Sequence, residues 1–467
     1  MRGLAPTVEH HGYLADMSQG HHFLPQRHVA CADSIWHVLH LRTTALLLGI
    51  ALISFANALE YGEFTVFGVL ILCLALPIAL WSLTGVLGQP PSLVVVITVE
   101  CLVAMNSAVQ LALSPTAYAY MPFLLVALFI GNVTMLAPIH WRRVIGLLTA
   151  ITADILLYLS NIRWGHAAID VFYVLQGGAK DLMNGRNPYV LWYRSTTPHQ
   201  LRTHFPYNPG ALLLALPGRL VGDIRVSELL AMAMLILATT LLARRILSPQ
   251  YGWWVLAIML ASPFTTHMVV QAWVEVFAMS GLATWLWLRE SHPYASIVVL
   301  GLGISASFLV LPVLVFTFIW HRRMRNEIIM AVLVALIITL PFLLWTGTVL
   351  YLRDVLIVPL SLPWRPDALN LNALWGGAMH TPLPEFVALG IPVVLFGALL
   401  ARGRTSISTS IVMGSLLTFG FILVAKVAFF NYYFIVVCGL ILAMALGYGV
   451  SGGMERPTAP DGLVADE

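Results

Sequence analysis

Apolar runs of about 20 residues recur along most of this chain, and that is the length an α-helix needs to cross a hydrocarbon core. The runs are 43–59, 64–86, 92–113, 120–137, 144–160, 227–243, 253–269, 272–288, 294–320, 327–349, 384–401, 407–425 and 428–447. Lipid offers no hydrogen-bond partners, so each run must satisfy its own backbone as a helix. Of 467 residues, 59% are hydrophobic and 10% charged. A soluble domain carries about 25% charged residues, so a water-exposed surface of ordinary size cannot be covered. The expected fold is an all-α polytopic membrane protein. The net charge of +3 gives no footprint for nucleic acid. Cys73, Cys101 and Cys438 lie inside apolar runs, which argues against a disulfide framework. Residues 1–42 are polar and His-rich and lack an early apolar stretch, so no cleavable signal peptide is expected.

Orientation follows from arginines in short connections, which stay cytoplasmic. These are Arg42, Arg142 with Arg143, Arg244 with Arg245, Arg289, Arg322 with Arg323 and Arg325, and Arg402 with Arg404. Run 294–320 contains Gly301, Gly303, Ser305, Ser307 and Pro312, a possible break. Read as a hairpin of two short helices, it puts every arginine cluster on one side. That gives about fourteen membrane segments with both termini cytoplasmic. The organisation expected is a tail over 1–42, a four-helix module over 43–143, a transmembrane core over 144–450 and a disordered tail over 451–467.

Two long connections, 161–226 and 350–383, then face outward. In the first, Ala168, Val171, Phe172 and Leu175 recur at helical spacing, so 167–184 reads as a surface helix. Gly185 suits the position past its end, and Pro188 prevents continuation. Asp170 falls in its first turn, where the helix N-terminus stabilises a carboxylate. A second surface helix is expected from Pro209 with Asn208 as its cap, ended or kinked at Pro217. The second connection carries Arg353, Asp354, Trp364, Arg365, Asp367, Asn370, Asn372, Trp375 and His380. Ionisable residues inside apolar runs are costly and often functional. They are Glu100, Asp154, Glu275 and Lys426; the last two and Asp154 fall near the outer face. His267, Gln271 and Glu275 recur every four residues and would share a face on one helix. The tail histidines imply no metal site, and no Walker A, HExxH or nucleophile elbow occurs.

Several stretches in order carry a family likeness: Ile169-Asp170-Val171-Phe172-Tyr173, then Gly185-Arg186-Asn187-Pro188-Tyr189, Phe205-Pro206-Tyr207-Asn208-Pro209, Ser262-Pro263 with Gln271 and Glu275, Asn370-Leu371-Asn372, and Asn431-Tyr432-Tyr433. Over about 144–450 the chain resembles the GT-C superfamily of membrane glycosyltransferases. Within it, the likeness is to the bacterial polyprenol-phosphate-mannose-dependent α-mannosyltransferases. It departs from them in its four extra leading segments and in having Ser307-Phe308-Leu309 where family members often carry a lysine.

The resemblance implies an inverting glycosyltransferase, without cofactor or metal, at the outer face. It would move a sugar, mannose by family default, from a polyprenyl-phosphate donor to a glycolipid or glycan acceptor. One base must take the acceptor's proton, and Asp170 is the candidate. Arg186, Lys180, Arg353, Arg365 and His380 are candidates for the donor phosphate; Gln271, Glu275, Asn372 and Tyr432 for sugar or acceptor. Asp170 and Asp181 would stand about 16 Å apart along a helix, too far for the carboxylate pair of a retaining hydrolase, about 5 Å. The competing readings are a lipid or solute transporter and a non-catalytic scaffold derived from a glycosyltransferase.

Overall fold

The computed structural model describes residues 44–59, 64–83, 169–194, 202–247, 249–357 and 363–447, with Val95, Thr98, Cys101, Leu102 and Met105. Both tails, runs 120–137 and 144–160, most of 92–113, and with them Glu100 and Asp154, lie outside the described residues. The described residues are mainly helical, with turns between the helices and a two-residue antiparallel ladder that pairs Tyr193 with Thr203 and Arg194 with Arg202.

The first helices are α1 (Thr44–Ala58) and α2 (Val66–Trp81). In the first long connection lie α3 (Asp170–Met183) and α4 (Pro209–Leu220). The bundle continues with α5 (Arg225–Ile246), α6 (Pro249–Ala261), α7 (Pro263–Val270) and α8 (Glu275–Leu288). Next come α9 (Pro293–Ala306), α10 (Leu311–Trp320), α11 (Arg322–Thr346) and α12 (Thr348–Leu352). The last are α13 (Leu371–Met379), α14 (Glu385–Leu400), α15 (Ile407–Val424) and α16 (Phe430–Ala445). Proline opens α4, α6, α7 and α9, where its missing N–H is free of cost and its φ is already helical. Thr65, Asn370 and Ser406 cap α2, α13 and α15 by accepting from backbone N–H groups.

By length and composition α5, α11 and α15 can cross a membrane, and up to five spans result if each of two bent pairs counts as one. The apolar stretch of α15 is 83% buried and that of α11 only 22%, so α15 is central and α11 peripheral. Surface helix α3 begins and ends close to its expected bounds. Gly185 follows it with φ +71°, a conformation glycine adopts without strain. Asn208 and Pro209 begin α4 as expected, but Pro217 is accommodated and the helix runs on to Leu220.

Run 294–320 is broken at Ser307, and its two helices are bent by 112°. The chain reverses there. Arg289 at the end of α8 donates to Glu327 in α11, at 3.2 Å from both Nε and Nη2. The Trp285 indole donates to the same carboxylate at 2.9 Å. The two ends of the 293–320 segment therefore meet. His321 donates to or accepts from Ser410 at 3.1 Å. Burial, then the guanidiniums of Arg404 and Arg289, hold its imidazole below the usual range. Arg245 pairs with Glu290 at 2.6 Å, and Arg402 donates to the Leu83 carbonyl. The described arginine clusters thus gather at one pole of the bundle. Helix α11 has 25 residues and rises about 37 Å to the other pole, where Asn187 donates to Thr346 at 3.1 Å.

Close backbone packing holds the hairpin. A Cβ on Gly414 of α15 would come within 2.6 Å of the Val313 carbonyl carbon in α10, whereas one on Gly397 would meet nothing within 4 Å. Gly414→Ala is expected to cost about 1–3 kcal/mol, read as a lowered Tm in detergent, while Gly397→Ala leaves Tm unchanged. The shared pole gives a second expectation. Arg325→Cys and Arg404→Cys label from one side of the membrane and Arg186→Cys from the other. Labelling of 325 and 404 from opposite sides would contradict the hairpin.

Candidate functional site

At the pole away from the arginines, three helix N-termini converge. Asp170 is the first residue of α3, Glu275 the first of α8 and Asn431 the second of α16. Each helix start directs a partial positive charge toward the pole, while Val276 N, Phe277 N and Tyr432 N are already bonded to the carbonyls of Trp273, Val274 and Phe429.

Tyr207 joins these groups. Its carbonyl accepts from the Tyr189 hydroxyl at 2.8 Å, which fixes the segment leading into α4. Burial pushes its phenol up, and the charges of Asp170 and Glu275 and the nearby Tyr432 push it further. Asp170, Glu275, Tyr207 and Tyr432 therefore share one neighbourhood. Asn431 Nδ2 donates to Glu275 Oε1 at 3.0 Å.

Spacing placed His267, Gln271 and Glu275 on one helical face, but the structure breaks the helix between them. Gln271 caps α7, and Ala272 turns the chain with φ +57°. His267 packs its ring against Trp273 and Phe430, with centroids 5.0 and 4.3 Å away. Gln271 is buried at the turn. The break leaves Glu275 at a helix start rather than in a helix interior.

The second long connection is stitched onto the gap between α15 and α16. Arg365 N donates to the Lys426 carbonyl at 3.0 Å, and Leu369 N to the Ala428 carbonyl at 3.0 Å. Asn370 Nδ2 donates to the Ala425 carbonyl at 2.8 Å. The Tyr433 hydroxyl donates to the Leu369 carbonyl. This fastening carries Arg365 to the pole. Its guanidinium lies 4.7 Å from the Phe429 ring centroid and pairs with Asp367 at 2.5 Å. Its charge also reaches Tyr432. Phe64, just before α2, donates to the Asp367 carbonyl at 2.9 Å, so the leading helices buttress this loop.

The other expected site residues lie apart. Arg186 follows α3 and pairs with Asp181 at 2.5 Å. Lys180 is exposed ten residues beyond Asp170, about 15 Å along the helix. Arg353 pairs with Asp354 at 2.8 Å. It follows Tyr351, whose ring packs on Tyr189. His380 caps α13 with φ +56° and is exposed. Asn372 is buried; its Oδ1 accepts from Leu383 N at 3.0 Å. Lys426 is exposed in the gap before α16. Tyr207 and Asn431 belong to the group although they were read only as motif positions. Among the described residues, no cluster of three or more His, Cys, Asp or Glu could hold a metal.

Asn372→Ala is expected to lower stability by about 1–3 kcal/mol, because it strands the buried Leu383 N–H. Arg365→Ala removes a half-exposed ion pair and should cost at most about 1 kcal/mol. Thermal unfolding of the two variants separates the scaffold residue from the half-exposed cation. Comparison of the chain with protein-family models, with characterised proteins and with solved structures gives no match.

Proposed function

We propose that the protein is an inverting glycosyltransferase that takes a sugar from a polyprenyl-phosphate donor at the outer membrane face. The supporting observation is the convergence of Asp170, Glu275, Tyr207, Tyr432 and Arg365 at one pole of an apolar bundle. The arginine-rich pole is assigned to the cytoplasm because short cytoplasmic connections retain Arg and Lys. With hairpins counted, the full chain has about fourteen membrane segments.

In this reading the acceptor hydroxyl oxygen attacks the anomeric carbon. The bond from that carbon to the lipid phosphate oxygen breaks, and the phosphate keeps the electron pair. Asp170 takes the hydroxyl proton. Arg365 and the converging helix N-termini offset the charge that develops on the phosphate. Glu275 and Tyr432 orient hydroxyl groups. Mannose is the first sugar to test.

The test is transfer by purified protein in lipid nanodiscs, assayed against a panel of polyprenyl-phosphate sugars. Asp170→Asn should abolish transfer while expression and Tm are retained; wild-type turnover by that variant would refute the assignment. Arg365→Ala removes a charge-assisted contact of about 1.5–3 kcal/mol, a fall in kcat/KM of roughly ten- to hundredfold. No transfer from any donor would favour the second reading, a lipid or solute carrier. The observation on that side is Glu228, fully buried inside the bundle beside Glu275.

A further inference from the structure

Glu228 lies in the first turn of α5 and is 0% exposed. Neither of its carboxylate oxygens has a hydrogen-bond partner among the described residues, and Glu275 Oε2 has none either. The two carboxyls stand within electrostatic reach of each other. Helices α5 and α8 run side by side in the same direction, and both carboxyls are at their leading ends.

Two neighbouring carboxylates in an apolar interior cannot both stay charged; one is paired, bound to a metal, or neutralised by a proton. Pairing with a base is not offered. Arg225, three residues earlier, is committed to Asp223 through contacts of 2.6 to 3.1 Å. Among the elements packed on α5, α8 brings Glu275 and α16 brings Asn431 and Tyr432. His267 of α7 is packed between Trp273 and Phe430. Tyr251 of α6 lies at the far, arginine-rich end, and Arg219 of α4 donates to the Gly222 carbonyl. No described cluster has the ligands a metal requires.

The donors decide where the charge rests. Glu275 accepts from Asn431 and opens a helix, whereas Glu228 accepts from no side chain or backbone group among the described residues. We propose that Glu228 and Glu275 form a proton-binding site, with the proton on Glu228 and the negative charge on Glu275. The ligand is one hydron. A protonated Glu228 carries no charge into the apolar interior. Glu275 is then the only charged member of the pair. The site does not depend on the nature of the catalysed reaction, so it stands or falls separately from the transferase reading.

The test is infrared spectroscopy of the full chain in nanodiscs at neutral pH, in H2O and D2O. The wild type should show a carboxylic-acid carbonyl band that shifts on deuteration. Glu228→Gln should lose that band, and Glu275→Gln should keep it. An acid band that survives in Glu228→Gln, or a wild type with none, overturns the proposal. A wild type whose Tm rises with sodium ions and which shows no acid band would mean a metal cation in the proton's place, and also overturns it. If Glu228→Gln does not fold, Glu228→Leu serves: its Tm should stay level as pH is raised, while the wild-type Tm falls. Parallel curves for the two proteins would overturn the proposal.

Discussion

Glu327 accepts from the Trp285 indole and the Arg289 guanidinium and lies 3.5 Å from Arg323. A carboxylate at the edge of an apolar bundle costs several kcal/mol when unpaired, so this cluster fixes the end of α8 against the start of α11. The segment between them must leave that point and return to it. It cannot cross as a single helix, and the break at Ser307 follows. The same return sends α11 the length of the bundle and brings Thr346 beside Asn187. One ionic cluster thus decides which connections share a pole.

The opposite pole is built by helix starts rather than by a pocket of polar side chains. Three N-termini bring their partial positive charges together, and such ends favour anions. Interrupted helices are tolerated at membrane depth only where the freed backbone finds partners. Here it does. The carbonyls of Ala425, Lys426 and Ala428, released where α15 stops, accept from Asn370, Arg365 and Leu369. The outer connection that carries Arg365 is held by those bonds.

Much of this was legible locally. The bounds of α3 follow from apolar spacing, Gly185 and Pro188; the start of α4 follows from Asn208-Pro209. The hairpin follows from the arginine sides taken together with the Gly, Ser and Pro content of 294–320. What was not legible depends on partners distant in sequence. Asn372 looked like a sugar ligand because nothing local reveals that its amide holds Leu383. Arg186 and Lys180 are phosphate candidates through the resemblance alone; the unbroken α3 that parts Asp170 from Asp181 also carries both cations away from Asp170. The spacing of His267, Gln271 and Glu275 suggested one face, and the left-handed turn at Ala272 cancels that periodicity. Glu228 falls at the very start of run 227–243, and only the packed neighbours reveal that it is enclosed.

Gly210, in the first turn of α4, meets the hairpin tip without a side chain between them: a Cβ there would fall within 2.6 Å of Ala306 N. Tyr207 stands three residues earlier, and its carbonyl accepts from the Tyr189 hydroxyl, so it is held between the hairpin tip and the turn that follows α3. The side of the pole that holds Tyr207 therefore shares its support with the hairpin, so a side chain added at Gly210 would be felt at the site as well as at the break.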